Sequence, residues 1–190
     1  MKILSVSVAR ARTIRLADGR STTSAIGKQP VAGPVQVRPL GLAGDEQADL
    51  TVHGGLSKAV YAYGAQHYAF WQTVRAQARV ALWDEPPPHG SMGENLTIDL
   101  LDESELWIGD VLRLPGCELV VSEPRLPCFK FAHAMGFAQA VKLMSQSGFC
   151  GAYLAVRTPG TLEAGDPIEL VAGPREVGLR ELFRARAGRG

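Results

Sequence analysis

Three residues of the stretch PRLPCFKF, at 124–131, have types and spacing that support chemistry: Cys128, with Arg125 three positions before it and Lys130 two after. An unperturbed cysteine thiol ionises near pH ~8.5, and neighbouring cations or a helix N-terminus shift it toward the thiolate, which is both the nucleophile and the metal ligand. The arrangement therefore points to reactivity or to metal ligation and leaves the choice between them open. The other two cysteines, Cys117 and Cys150, stand in apolar, strand-like surroundings and read as packing residues, because a buried thiol behaves as a small hydrophobe. There is no CxxC pair and no charged-apolar-small signal peptide, so reduced thiols and a cytoplasmic location are expected.

The elements that must position Cys128 read as short strands with few helices. The chain has 190 residues, 21 of them glycine and 12 proline, and 46 % are apolar, which suits one domain with a proper core and many turns. KILSVSVA at 2–9 and VAGPVQVRPLG at 31–41 read as strands, with polar RSTTSAIGK at 20–28 as a loop or edge. CELVVSE, 117–123, supplies a strand that ends at Pro124. WIGDVLRL, 107–114, and EAGDPIEL, 163–170, share a Gly-Asp turn followed by an alternating strand. A helix is expected from about Ala65 within 58–83, where Tyr68, Trp71, Val74 and Ala78 recur at spacings of three and four. A second is expected over about 133–146, with Phe137, Val141 and Met144 on one face. GDEQADLTVHGG, 44–55, is too polar for a core element and reads as a loop, while DEPPPHGSMGEN, 84–95, breaks regular structure through its prolines. Cys128 then falls between a strand end and a helix start, where the helix N-terminus adds partial positive charge.

Charge and hydropathy exclude some partners. The 20 basic residues nearly balance the 19 acidic ones, so no global field gathers nucleic-acid phosphates. The longest run without Asp, Glu, Lys or Arg covers residues 59–74 and includes Gln66, His67 and Gln72, which falls short of the ~18 mostly apolar residues of a membrane span.

SAIGKQPV (24–31), GLAGDEQADLTVHGG (41–55), GENLT (93–97), IGD (108–110), PRLPC (124–128) and GFCGAYLAVRTPGTLEAGD (148–166) form an ordered series across nearly the whole chain. This series resembles the MOSC domain family (the C-terminal domain of molybdenum cofactor sulfurase), and within it the small bacterial YiiM-like branch. The resemblance implies a mainly β fold with peripheral helices (α+β), an irregular closed, barrel-like sheet over residues 1–172. A short basic tail or helix at 173–190 would stand where that branch commonly has a longer helical extension. It also implies molybdenum cofactor (molybdopterin) held through one cysteine, and reduction of N-hydroxylated compounds, the YiiM-like branch being associated with detoxifying N-hydroxylated purines.

On that resemblance Cys128 is the molybdenum ligand, soft sulfur suiting a redox transition metal. The candidates to hold the cofactor are Lys28, His53, Gly54, Gly55, Glu94, Asn95, Arg125 and Lys130. Cations and exposed backbone N–H groups suit a phosphate, and Glu94 and Asn95 suit orientation of the pterin. Each has a plainer role: solvated lysines, a core or turn histidine at 53, and a turn capped by Glu94 and Asn95. His53 is also the candidate proton donor. Asp45 and Asp110 read as stabilisers of tight turns.

The chain has no GxGxxG, Walker loop or cysteine cluster for iron and sulfur, so electrons for such a reduction must come from a separate flavin or iron–sulfur reductase. The substrate in this reading is a small N-hydroxylated molecule, with neither nucleic acid nor membrane as partner. Two other classes stay open: a cofactor or sulfur carrier in which Cys128 holds its cargo without turnover, and a cysteine hydrolase using Cys128 with His53 or His133 as base. An apolar helix face on 64–82 serves a core or a homodimer equally, so the chain is expected to be a monomer or a homodimer.

Overall fold

The computed structural model describes residues 1–16, 18–48 and 54–188. In chain order its first strands are β1 (Ile3–Val8), β2 (Arg12–Arg15), β3 (Ser21–Ser24), β4 (Gln29–Pro30), β5 (Val35–Arg38) and β6 (Gly41–Leu42). A 3-10 turn, Leu56–Lys58, leads into β7 (Val60–Gly64), which is followed by helix α1 (Tyr68–Gln77), β8 (Leu96–Ile98), β9 (Val111–Arg113) and β10 (Glu118–Pro124). Helices α2 (Phe129–Met135) and α3 (Ala140–Ser147) precede β11 (Ala152–Thr158), β12 (Gly160–Leu162) and β13 (Glu169–Val171), and α4 (Leu179–Ala187) comes last. Eight strands form the main sheet in the order β13-β9-β10-β11-β7-β8-β1-β4, flanked by a three-stranded sheet, β12-β5-β6, and the β2-β3 hairpin.

The centre of this arrangement is β7, whose side chains are buried on both faces. Successive side chains of a strand point to opposite faces. Val60 and Ala62 accordingly enter one apolar cluster with Ile3, Val6, Leu96, Ile98, Leu112, Leu119 and Leu154, while Tyr61 and Tyr63 enter a second with Trp71, Met92, Phe131, Met135 and Met144. The aliphatic cluster is the interior of the curled sheet. The aromatic one is filled by α1, α2 and α3 packing on the other face. Full burial of each such side chain contributes about 1.5–3 kcal/mol. β7 and β8 run parallel, and α1 makes the crossover that a parallel pair requires.

The mainly β architecture with peripheral helices follows the sequence patterns, whereas closure into a barrel is not found among the described residues: β13 and β4 are the edges of the main sheet. The start of β1 does reach the segment before β13, through the isolated bridge Lys2–Pro167 and the bond from Ile3 N–H to Asp166 O at 3.0 Å. Gly165 N–H donates to Ile3 O and Ile168 N–H to Met1 O, both at 2.8 Å, on either side of that bridge. Two helix boundaries also differ from the sequence pattern. A 3-10 turn, Ala65–His67, runs directly into α1, so helical structure begins at the expected Ala65, straight after the two-sided strand β7, whereas α1 ends at Gln77 before Arg79 at φ 60°. The helix expected over 133–146 is two helices, because Gly136 takes a left-handed conformation at φ 84° and ends α2, while the upstream boundary moves back to Phe129. Among the described residues no helix is long and apolar enough to cross a membrane.

Asn95, at the entrance to β8, joins β1 to β7. Its Oδ1 accepts the Tyr61 N–H at 3.0 Å, its Nδ2 donates to Ser7 O at 3.2 Å, its N–H donates to Tyr61 O at 2.8 Å and its carbonyl accepts from Ser7 N–H at 2.7 Å. Asn95→Ala leaves a buried N–H and a buried carbonyl unpaired and is expected to cost about 2–4 kcal/mol. Urea unfolding checks this as a lowered midpoint with an unchanged slope; a midpoint equal to wild type would show that the backbone pairing alone holds these strands.

Candidate functional site

One pocket gathers most of the residues of interest, with a volume of about 680 Å³ counted out to the open mouth. Its walls come from Ser24, Ala25, Ile26 and Lys28 at and after the end of β3, Asp45–Ala48 after β6, Lys58, Ala59 and Tyr61 at the entrance to β7, Met92, Gly93 and Asn95 before β8, Arg125, Cys128 and Lys130 after β10, and Tyr153 on β11.

Cys128 lines this pocket as the N-cap of α2, with extended backbone at φ −135°, and is half-buried. Its carbonyl accepts the N–H groups of Phe131 at 2.9 Å and Ala132 at 3.3 Å, which fixes the first turn of the helix and with it the position of the thiol. None of the three cysteines is disulfide-bonded. Cys117 and Cys150 are buried in the interior, where desolvation pushes the Cys117 thiol up to about 11 and the Cys150 thiol well above its ordinary value, so neither is a thiolate at neutral pH.

Arg125, three residues before Cys128, is 6 % exposed. Its guanidinium carbon stands 4.6 Å from the centre of the Phe131 ring and 5.4 Å from that of Tyr61, and Nη1 lies 3.4 Å from the Met144 sulfur. Burial opposes its charge, but Tyr61, Tyr153 and the Cys128 sulfur more than offset that and leave its pKa above the ordinary arginine value. No carboxylate pairs with it among the ion pairs of the described residues. A buried cation placed on aromatic faces and a sulfur, with a thiol beside it, suits an anionic ligand, since unpaired buried charge costs several kcal/mol.

The opposite end of the pocket is organised differently. Lys28 is 7 % exposed and forms an ion pair with Asp45, whose Oδ1 also accepts the Ala9 N–H at 2.8 Å and whose Oδ2 accepts from Asn95 Nδ2 at 2.9 Å. Desolvation lowers the Lys28 pKa, opposed by the charges of Asp45 and Glu94. The sequence reading of Asp45 as a turn stabiliser is corrected here, for it is the counter-ion of a buried lysine. Asp110 does hold a turn, accepting N–H groups from Trp107 at 2.9 Å and Gly173 at 2.7 Å.

Glu94 is fully buried and is not among the described pocket-lining residues. Its carboxylate accepts hydrogen bonds from the Tyr68 hydroxyl, Gly90 N–H at 2.7 Å, Met92 N–H at 2.9 Å and Thr97 Oγ1 at 3.1 Å, so it folds the 90–94 turn rather than facing the ligand space. Desolvation raises its pKa against those hydrogen bonds. Asn95 does line the pocket, though the strand contacts described above occupy its amide. Lys130 lines it too and donates to Thr23 O at 2.8 Å. Gly55, at φ 92°, gives its N–H to Gln47 Oε1 at 2.7 Å, and neither it nor Gly54 is among the described lining residues. His53 lies outside the described residues. Of the described histidines, His67 is bound to Glu103 at 2.9 Å, His89 meets the Tyr68 ring edge-on and His133 is exposed on α2; none of them lines the pocket. Sequence reasoning did not single out Lys58, Tyr61 or Tyr153. Tyr61 and Tyr153 lie in strands and Lys58 ends the 3-10 turn before β7, and contacts between distant strands turn all three into pocket wall.

The MOSC domain family model matches residues 49–169. The chain belongs to the MOSC domain family. Its relatives place it in the YiiM-like branch. It is 36 % identical to protein YiiM of Escherichia coli over 158 residues, which is 83 % of this chain and 68 % of that protein. The structure of YiiM from Geobacillus stearothermophilus superimposes with a TM-score of 0.77 at 28 % identity, covering 99 % of this chain and 84 % of that one. A protein of Gibberella moniliformis named reductase is 34 % identical over 179 residues, which is 88 % of this chain but 30 % of that protein. The MOSC domain is associated with molybdenum cofactor in general, and the pocket's donors fit such a group. They comprise one half-buried thiol as a soft ligand, Arg125, which pairs with no carboxylate among the described residues, for negative charge, and Tyr61 and Tyr153 as faces for a flat ring system. Among the described residues no group of three or more His, Cys, Asp or Glu converges.

Lys28 and Arg125 should respond differently to substitution. Asp45→Ala leaves the buried Lys28 without its counter-ion and is expected to cost about 3–5 kcal/mol, while Asp45→Asn with Lys28→Met recovers most of it. Urea unfolding of the three proteins measures this; a double variant no more stable than Asp45→Ala would mean that the pair is not a closed unit.

Proposed function

We propose that this MOSC protein binds molybdenum cofactor through Cys128 and reduces small N-hydroxylated compounds, N-hydroxylated purines among them, with electrons from a separate reductase. The observation that carries the reading is the pairing, in one pocket, of a half-buried thiol fixed at the start of α2 with a buried arginine that no carboxylate neutralises among the described residues. The broad association of the family with molybdenum cofactor and the name of the Gibberella relative support it.

When bound, the cofactor supplies two-electron oxygen-atom chemistry, by which an N–OH group, two protons and two electrons become N–H and water. The chain's residues do the rest. Cys128 is the fixed sulfur ligand. Arg125 holds negative charge next to it at no cost in reorganisation, because Phe131, Tyr61 and Met144 keep the guanidinium in place. Tyr61 and Tyr153, whose rings lie 5.3 Å apart, form a wall that excludes water from one side. Burial keeps both hydroxyls protonated at neutral pH, so they carry no charge of their own, and that of Tyr61 donates to Cys150 O at 2.8 Å. His53 is the proton donor proposed from the sequence, and cytoplasmic location and a soluble electron donor belong to the same proposal.

A carrier that holds cofactor through Cys128 without turnover uses the same ligands, and turnover with a chemical reductant separates the two. Cys128→Ala, purified from a host that makes the cofactor, is expected to lose at least about nine-tenths of the molybdenum and of the reduction of 6-hydroxylaminopurine together, as removal of a sole thiolate ligand implies. Elemental analysis alongside the assay checks this. Molybdenum at wild-type level in Cys128→Ala would remove the proposed ligand, and loaded wild-type protein without turnover would make the chain a carrier.

A further inference from the structure

We infer that the β2–β3 hairpin and the start of α2 form the docking surface for an acidic electron-donor protein, which the arginines of the hairpin attract and the apolar residues on either side of Cys128 seat. This rests on the proposed function in taking the electrons from a separate protein.

The chain is almost neutral, yet residues 1–44 carry seven of its 20 basic side chains and only one of its 19 acids, Asp18, which Arg20 pairs. The rest of the chain is net acidic, so the excess of positive charge lies in this N-terminal segment. Within it β2 and β3 pair with each other and with no other strand among the described residues. Their register puts Thr13, Arg15, Ser21 and Thr23 on one face, and all four are exposed. Ile14, Thr22 and Ser24 lie on the other face, where Ser24 is buried and lines the pocket. Arg12 stands opposite Ser24 at the base of the hairpin, exposed, with its guanidinium beside Gly27, and Arg10 just before it is exposed too. None of these three arginines pairs with a carboxylate among the ion pairs of the described residues. The acids at the base, Asp45 and Glu46, hold the hairpin in place by accepting the Ala9 and Ala11 N–H groups, each at 2.8 Å.

The hairpin is tied to the helix that Cys128 caps, because Lys130 Nζ in the first turn of α2 donates to Thr23 O at 2.8 Å. At this turn Leu126 is 40 % exposed and Phe129 53 % exposed, on either side of the half-buried Cys128. An apolar centre bordered by arginine is the make-up of a contact between proteins. A nucleic acid held by its phosphates would leave both apolar side chains in water. Two such side chains are too few for a stable dimer, whereas electron-transfer encounters bury less than ~1,200 Å² and rely on complementary charge to form. A donor seated here stands next to the proposed sulfur ligand. Two flavin hydroquinones, each leaving as a semiquinone after giving one electron, supply the two electrons of one N–OH reduction, with the protons drawn from solvent.

The test is calorimetric titration of recombinant flavodoxin, an acidic flavin protein, into the full chain at about 20 and about 300 mM NaCl, where the higher salt is expected to weaken binding at least about tenfold. Arg12→Glu with Arg15→Glu is expected to weaken it about tenfold at the lower salt, and Phe129→Ser about threefold at both. Arg157→Glu with Arg184→Glu makes the same change of net charge on β11 and α4, and is expected to alter binding by less than about twofold. Wild-type protein that does not bind flavodoxin overturns the inference. So does an Arg157/Arg184 variant that loses as much as the hairpin variant, or a Phe129→Ser that binds as wild type does. A short DNA duplex that binds more tightly than flavodoxin at the same salt would make nucleic acid the occupant instead. Cofactor-loaded Arg12→Glu with Arg15→Glu is expected to reduce 6-hydroxylaminopurine at the wild-type rate with dithionite, but to need about ten times as much reduced flavodoxin for half its maximal rate. Equal loss with both reductants would place the arginines' effect inside the pocket and end the docking role. Calorimetry needs no turnover, so a wild-type protein inactive with dithionite would end the proposed reductase reading while binding still decides the surface.

Discussion

The two-sided burial of β7 is the constraint on which the rest of the structure depends. A strand with Val60 and Ala62 on one face and Tyr61 and Tyr63 on the other needs an apolar layer on each side. The curled sheet provides one and α1, α2 and α3 provide the other. The pocket forms at the entrance of this strand, where Lys58 and Tyr61 meet the end of β10, the start of α2 and the turn before β8. Tyr61 shows the double duty most plainly: its ring belongs to the helix-side core and faces Arg125, while its N–H is held by Asn95.

The pocket buries cations in two ways, and the difference organises its chemistry. Lys28 is neutralised by Asp45 inside a closed set of hydrogen bonds that also includes Asn95, so its charge is used within the protein. Arg125 lies on aromatic rings and a thioether, which stabilise a guanidinium by cation–π and dispersion contacts without cancelling its charge. The first arrangement fastens the walls together. The second leaves positive potential beside Cys128 in a desolvated setting where it acts at close to full strength.

The turn before β8 shows how local chemistry and tertiary position divide the work. Gly90 adopts φ 89° and passes against the Lys28 backbone, leaving no room for a Cβ. Glu94, buried and bonded to the Tyr68 hydroxyl and to two N–H groups of the same turn, closes it from within. Adjacent in sequence, Glu94 and Asn95 therefore have separate roles: one holds the turn, and the other links β1, β7 and Lys28's counter-ion.

Alternation and turn residues in the sequence alone determined β1, β5, β9, β10 and β13, the mainly β class, the packing role of Cys117 and Cys150, and the placement of Cys128 between a strand end and a helix start. These are local properties, set by which side chains face which way and by where Pro124 stops a ladder. The family was legible because its short motifs keep their order. Tertiary structure decided that VYAYG, Val60–Gly64, is a strand, since it needs the sheet on one side and the helices on the other, and it decided that the sheet keeps its edges. It also decided which charges are spent and which are not: Asp45 is taken by Lys28 and Glu94 by its own turn, while Arg125 pairs with no carboxylate among the described residues. Residue type and spacing do not carry that information, because the free energy of a buried charge depends on partners that lie far along the chain and come together only when the strands pair.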